Sequence, residues 1–286
     1  MQKENKLILN KFQNLFTALL VFAIIAIITY LYSKTGKDFN KKDFLNGITI
    51  GIIAQTIDGA IGMAYGVTAT TFMLSQGFSP AIASSSVHIA EIFTTGASGL
   101  SHWRLNNINK KLFLSLVFPG IIGGLIGVLI LTNIDGKTIK PIISIYLIVM
   151  GIYIISKSMK KNLLEDKKVN IKKTSALALT GGALDAIGGG GWGPVVTTTL
   201  ISSGHEPKKV IGSVNSSEFF VTLFTGFSFT IFIGVTHPEI IAGLVLGGVG
   251  IAPISAKITT KLPAKLIMII VGILIISLSI INLLKI

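Results

Sequence analysis

The sequence predicts an all-α integral membrane protein built as two inverted repeats, each a broken or re-entrant helical hairpin plus three spans. One extra N-terminal transmembrane helix precedes them. Three observations carry this: a composition too apolar for water, two glycine-rich interruptions of apolar stretches, and an internal repeat. Half of the 286 residues are hydrophobic and only 13% are charged, against about a quarter charged in soluble domains. Mean hydropathy is +0.75. An ordinary soluble enzyme is excluded, and so is a disordered chain, which needs low hydrophobicity. The 31 glycines suit packed membrane helices, where small side chains let backbones approach. There is no cysteine, hence no disulfide, thiol nucleophile or thiolate metal site, and neither a metal nor a cofactor is expected. The net charge of +13 does not point to nucleic acid, because the cations are scattered in short gaps between apolar runs rather than gathered on one face.

The first apolar run, residues 14–32, follows Lys3, Lys6 and Lys11 and is followed by no small-x-small cleavage motif. It reads as an uncleaved membrane helix. Full-length spans also fit residues 80–102, 111–132, 138–156, 207–234, 239–256 and 263–284. The stretch 44–76 is interrupted at 58–66 and the stretch 174–203 at 185–194. The apolar pieces beside these breaks, 44–57 and 194–203, would be helices of about 21 Å and 15 Å, short of a hydrocarbon core of roughly 30 Å. Re-entrant hairpins, single broken spans and pairs of short spans all fit that shortfall. The predicted organisation is therefore an N-terminal helix and linker (1–43), a first repeat (44–158), a basic cytoplasmic linker (159–173) and a second repeat (174–286).

Charge sets the sidedness. If each broken stretch returns to the side it entered from, 18 Lys and Arg lie on the side of the N-terminus and 7 on the other. A single crossing per stretch gives 15 against 10 at best. The positive-inside rule prefers the first arrangement and a cytoplasmic N-terminus, in a multi-pass protein of the cell (inner) membrane.

Shifting the chain by 127 residues lays 58–99 over 185–226 without a gap, and 14 of 42 positions are identical. They include Asp58/Asp185, Gly62/Gly189, Gly66/Gly193, Thr70/Thr197, Pro80/Pro207 and Glu91/Glu218. Shared greasiness would match leucines and isoleucines; these matches are mostly glycine, threonine, serine, proline and acids. Three spans between the breaks make the second copy enter from the opposite face. Inverted repeats with broken helices in corresponding places are the architecture of secondary transporters, with the site near mid-membrane.

A glycine-rich break followed by a helix start offers backbone N–H groups and a positive dipole end. Two such ends make a cradle for a small anion. The candidate substrate-binding residues are Gly62, Tyr65, Gly66 and Thr70 in the first copy. In the second they are Gly189, Gly190, Gly191, Trp192, Gly193 and Thr197, with Asn215 and Ser216 on the following helix. Acids inside the membrane are costly and need partners or protons. Asp58 and Asp185 are placed to cap the neighbouring half-helices. Glu91 and Glu218 lie near mid-depth, one turn beyond His88 and Asn215. Asp58, His88, Glu91, Asp185 and Glu218 are accordingly the candidates for coupling or gating.

The two breaks, the threonine-containing segment after each, the Gly-x-x-Pro motifs Gly77–Pro80 and Gly204–Pro207, and the polar patch beyond them resemble the TauE/SafE family of sulfite and organosulfur-anion exporters. The resemblance covers residues 44–284 and leaves the first helix as an addition. It implies export of a small sulfur oxyanion, most typically sulfite, from the cytoplasm. His88 stands where the other copy has Asn215, a departure from symmetry.

Two other functions compete. An anion channel would share the cradle without alternating gates. An intramembrane serine protease is raised by Gly96-Ala-Ser-Gly99, but that chemistry needs a histidine base at the same depth, and His205 and His237 sit at span ends. The expected partners are a small anionic substrate and the lipid bilayer, with no nucleic acid; a homo-oligomer is compatible with all of this.

Overall fold

The computed structural model describes residues 39–61, 63–159, 169–258 and 264–285, with residue 29. The helix expected at 14–32 and the middle of the basic linker lie outside the described residues. All regular structure among the described residues is helical. In chain order, α1 is Lys41–Ile61, α2 Tyr65–Ser75, α3 Pro80–Arg104, α4 Lys110–Asn133 and α5 Gly136–Ser158. Then come α6 (Ile171–Gly188), a π-helical turn (Trp192–Thr197), α7 (Thr198–Ser202), α8 (Pro207–Ile233), α9 (Pro238–Ile258) and α10 (Ala264–Leu284).

The starts are set by capping. Asn109, Asp135 and Asn170 each turn a side-chain oxygen onto the free N–H groups of the first turn of α4, α5 and α6. Asn40 does the same for α1, accepting from the N–H groups of Lys42 and Asp43 at 3.1 and 3.2 Å. Such oxygens satisfy donors that have no partner inside the helix.

Residues 110–133, 136–158, 207–233 and 265–284 are each long and apolar enough to cross a bilayer. Their outward faces carry Phe118, Ile122, Ile142, Phe227 and Ile270, each more than half exposed, as lipid-facing helices do. Helix α3 has the length, 25 residues or about 38 Å. It is more polar because Ser84, Ser85, Ser86, His88, Glu91 and Thr95 are buried on its inner side.

The broken stretches differ in detail from the sequence expectation. α1 runs through Asp58 to Ile61 and α6 through Asp185 to Gly188, giving arms of about 31 Å and 27 Å where the apolar run at 44–57 predicts about 21 Å. The aspartates sit inside the last helical turn, and the chain breaks only after them.

Glycines decide which helices touch. Gly47 and Gly51 of α1 face Gly243 and Gly248 of α9 so closely that a Cβ on either would meet backbone at 3.0 Å or less. Gly123 and Gly127 of α4 lie against Leu179 and Ala183 of α6 in the same way. Helices α3 and α8 touch at two points, Gly99 against Ser216 and Gly226 against Ile89. Helices α5 and α10 meet through Gly151 and Gly272. Each contact lets backbones approach where a larger side chain would hold them apart. The α1–α9 and α6–α4 pairings exchange under the 127-residue shift, and α3–α8 and α5–α10 map onto themselves.

Candidate functional site

The site lies where the two breaks meet. In the first copy the chain leaves α1, passes Met63 and enters α2 through Ala64, whose φ of 89° is the left-handed region that favours glycine. Gly62 lies outside the described residues. Asp58 accepts a hydrogen bond from the N–H of Tyr65 at 3.4 Å. In the second copy Gly189 and Gly190 take φ values of +65° and +148°, and the π-helical turn begins at Trp192. The Asp185 carboxylate, 1% exposed, accepts from the N–H groups of Gly191 and Trp192 at 2.7 and 2.9 Å. Asp185 therefore caps its half-helix, with Asp58 in the corresponding role.

Side chains from other helices satisfy the carbonyls of the second break. Ser84 of α3 donates to Ala186 O at 2.6 Å, Thr70 of α2 to Gly189 O, and Tyr146 of α5 to Gly190 O at 3.0 Å. Buried backbone groups need such partners. The breaks touch directly: a Cβ on Gly66 would stand 2.7 Å from the Cα of Gly190 and 3.0 Å from Oε1 of Glu91.

Between them is a narrow cavity of about 20 Å³, room for little more than one small ion or a water or two. Six pairs of its lining residues are related by the 127-residue shift: Asp58/Asp185, Met63/Gly190, Ala64/Gly191, Gly66/Gly193, Val67/Pro194 and Glu91/Glu218. Tyr65, Asn215, Thr94, Thr95 and Ser98 complete it. Four carboxylates line this space, and no Lys or Arg among the described residues does.

The acids divide by their surroundings. Asp58 and Asp185 are held by backbone N–H groups. Asp185 also faces His88, whose Nε2 lies 3.2 Å from Oδ2, while His88 Nδ1 lies 2.8 Å from the Ser84 carbonyl. A carbonyl only accepts, so Nδ1 carries a proton. Nε2 is the ring atom left to face the carboxylate. Glu91 is 3% exposed, and its Oε2 has no hydrogen-bond partner among the described residues. No group of three or more His, Asp and Glu close enough to hold a metal ion occurs among the described residues.

Of the residues singled out from sequence, Asp58, Tyr65, Gly66, Glu91, Asp185, Gly190, Gly191, Gly193, Asn215 and Glu218 meet at the cavity. Gly189 and Thr70 stand behind it, joined to each other. His88 stands behind Asp185. Thr197 is fully buried with no partner for its hydroxyl among the described residues. Trp192 points away: its ring packs where Gly120 and Gly181 leave space, and its N–H donates to Val214 O at 3.4 Å. Ser216 turns back to Gly212 O at 2.7 Å. Two of the N–H groups expected to face an anion, those of Gly191 and Trp192, are taken by Asp185.

Sequence reading missed Thr94 and Thr95 as lining residues and weighed Ser98 only as a nucleophile. They stand three, four and seven residues beyond Glu91, the spacing of one helix face, and that signal was available. Ser98 Oγ accepts from Asn215 Nδ2 at 3.0 Å.

Residues 47–282 match the family described as sulfite exporter TauE/SafE. The chain is also 41% identical over 230 residues to "Probable membrane transporter protein YtnM" of Bacillus subtilis (strain 168), covering 78% of this chain and 77% of that protein. No solved structure matches. A match across nearly all of the helical region, breaks included, excludes the protease reading: this chain belongs to the TauE/SafE family of membrane transporters.

Proposed function

We propose that this transporter exports a small sulfur-containing oxyanion, sulfite first among them, by alternating access between two inverted repeats, 44–158 and 174–286. The observation that carries the reading is the cavity lined by pairs of residues 127 apart. A site shared evenly by two inverted copies can be opened to one face of the membrane or the other by rocking one copy against the other. The family description supplies the anion.

The chemistry of the lining sets a condition on that anion. Carboxylates repel it unless they carry protons or are already paired. Asp58 and Asp185 are engaged as caps, and His88 pairs with Asp185. Glu91 and Glu218 remain as the groups whose protonation admits the anion, so proton and anion occupy the cavity together and leave on the same side. Thr94, Thr95, Ser98 and Asn215 then supply neutral polar contacts.

Flux into proteoliposomes tests this with a panel of sulfite, sulfate, thiosulfate and sulfonates. Sulfite is expected to accumulate against its own gradient when a pH gradient is imposed. Downhill flux alone would end the proton-coupling proposal and leave the channel reading open. Glu91→Gln and Glu218→Gln keep the shape of the side chain but cannot lose a proton, and each is expected to abolish the response to the pH gradient. Wild-type dependence in both would make the glutamates structural and end the coupling proposal.

The same reading fixes sidedness, with the N-terminus cytoplasmic and the C-terminus outside. Accessibility of tags at the two ends, in sealed cells, is expected to differ. Finding both on one side would overturn the topology.

A further inference from the structure

A second space lies away from the polar cavity, in the seam between α3 and α8 on the outer surface of the helices. It is a groove of about 440 Å³, over twenty times the polar cavity, walled by Gly96, Leu100 and Trp103 of α3, Phe113 of α4, and Phe219 and Phe220 of α8. Its floor exists because of glycine: a Cβ on Gly96 would meet the Phe219 ring at 3.1 Å. So apolar a space does not hold water, and the transport reading makes no use of it.

One end of the groove differs from the rest. Trp103, 63% exposed, stands at its mouth, as tryptophans do at the boundary between hydrocarbon and water. Arg104 follows it, and Lys110 and Lys111 begin the helix that carries Phe113; all three cations are exposed. From His102 through Phe113 there is no acidic residue. Apolar walls with a cationic lip match an acyl chain attached to an anionic headgroup, and juxtamembrane cations of this kind attract anionic lipid.

We propose that the α3–α8 groove is a binding site for an anionic phospholipid, one acyl chain lying along Gly96 and Leu100 and the headgroup held at Lys110 and Lys111. The chain then lies against the helix pair whose opposite side, through Ser98 and Asn215, lines the polar cavity. The assignment stands independently of which anion is transported.

Trp103 reports on the groove directly. The protein has two tryptophans, and the other, Trp192, is fully buried and contributes a constant background. The full chain is reconstituted in phosphatidylcholine vesicles containing an equal minor fraction of chain-brominated phosphatidylglycerol or chain-brominated phosphatidylcholine. Quenching by the brominated phosphatidylglycerol is expected to be at least twofold stronger. Lys110→Gln with Lys111→Gln is expected to remove the preference, and Leu100→Phe, which narrows the groove with the cations intact, to bring quenching down to the phosphatidylcholine level. Equal quenching of the wild-type protein by both lipids overturns the proposal. So does a preference that survives Leu100→Phe, which would place the lipid around the protein rather than in the groove. Protection from both lipids also overturns it: if removing residues 1–38 lifts the protection, the occupant is the N-terminal segment, and if dilution to monomers lifts it, a second copy.

Discussion

Gly190→Ala is expected to abolish transport and to lower the thermal midpoint of the purified protein by the largest margin of any glycine substitution in the chain. Its φ of +148° is one that an L side chain rarely adopts, a strain of about 1–3 kcal/mol. The added methyl would also run into the backbone of Gly66 and Val67. Backbone cannot swing aside as a side-chain tip can, and overpacking adds about 1–3 kcal/mol. Two controls separate these costs. Gly77 has φ +95° but nothing within 4 Å of a Cβ, so Gly77→Ala is expected to show strain alone, with transport retained. Gly250 is helical and open, and Gly250→Ala is expected to be neutral or stabilising by up to about 1 kcal/mol. Thermal unfolding in detergent, followed by flux, reads all three. A Gly190→Ala protein that melts and transports like the wild type would show that the two breaks do not touch.

Asp185→Ala is expected to cost nearly as much, through lost hydrogen bonds. It strips the partner from the N–H groups of Gly191 and Trp192 and leaves His88 facing nothing. Each buried donor left unsatisfied costs about 1–3 kcal/mol. Little folded protein is expected to reach the membrane. Asp185→Asn separates capping from charge. Its amide oxygen still accepts from Gly191 and Trp192, and its NH₂ group donates to a neutral His88 Nε2. The Asn variant is therefore expected to melt within about 1 kcal/mol of wild type. Equal losses in the Asn and Ala variants would mean that the carboxylate charge, rather than the hydrogen bonds, holds the second break.

The outline of the site is legible in the sequence because it depends on residue types with few other uses. Glycine runs inside apolar stretches, acids at membrane depth and their recurrence at one offset pick out Asp58, Glu91, Asp185 and Glu218, which the fold brings to one cavity. Hydrogen-bond allocation is not legible. Whether an N–H of Gly191 faces a ligand or Asp185 depends on where the helix stops within one turn, and α6 runs one turn beyond the point where its apolar pattern is interrupted. Trp192 and Tyr65 occupy equivalent positions yet diverge, because Gly120 and Gly181 leave room for an indole on the side away from the cavity. The helix packing is only half legible: small residues at four-residue spacing mark α1 and α9 as having close neighbours, but not that they are each other's.

That pairing has a consequence for how the chain is made. Gly47 and Gly243, which lie within backbone contact, are 196 residues apart in the sequence. At synthesis rates of 5–20 residues per second, α1 waits roughly 10–40 s for α9 to leave the ribosome. Throughout that interval its glycine face lacks the helix that covers it in the finished fold. The polar turn after Asp58 likewise lacks Gly190 and Glu218, which complete its surroundings. The first half of the chain therefore enters the bilayer as an unfinished surface. A ribosome stalled before α9 is expected to leave a nascent chain open to membrane-embedded proteases at the turn near Asp58, and the completed protein is not.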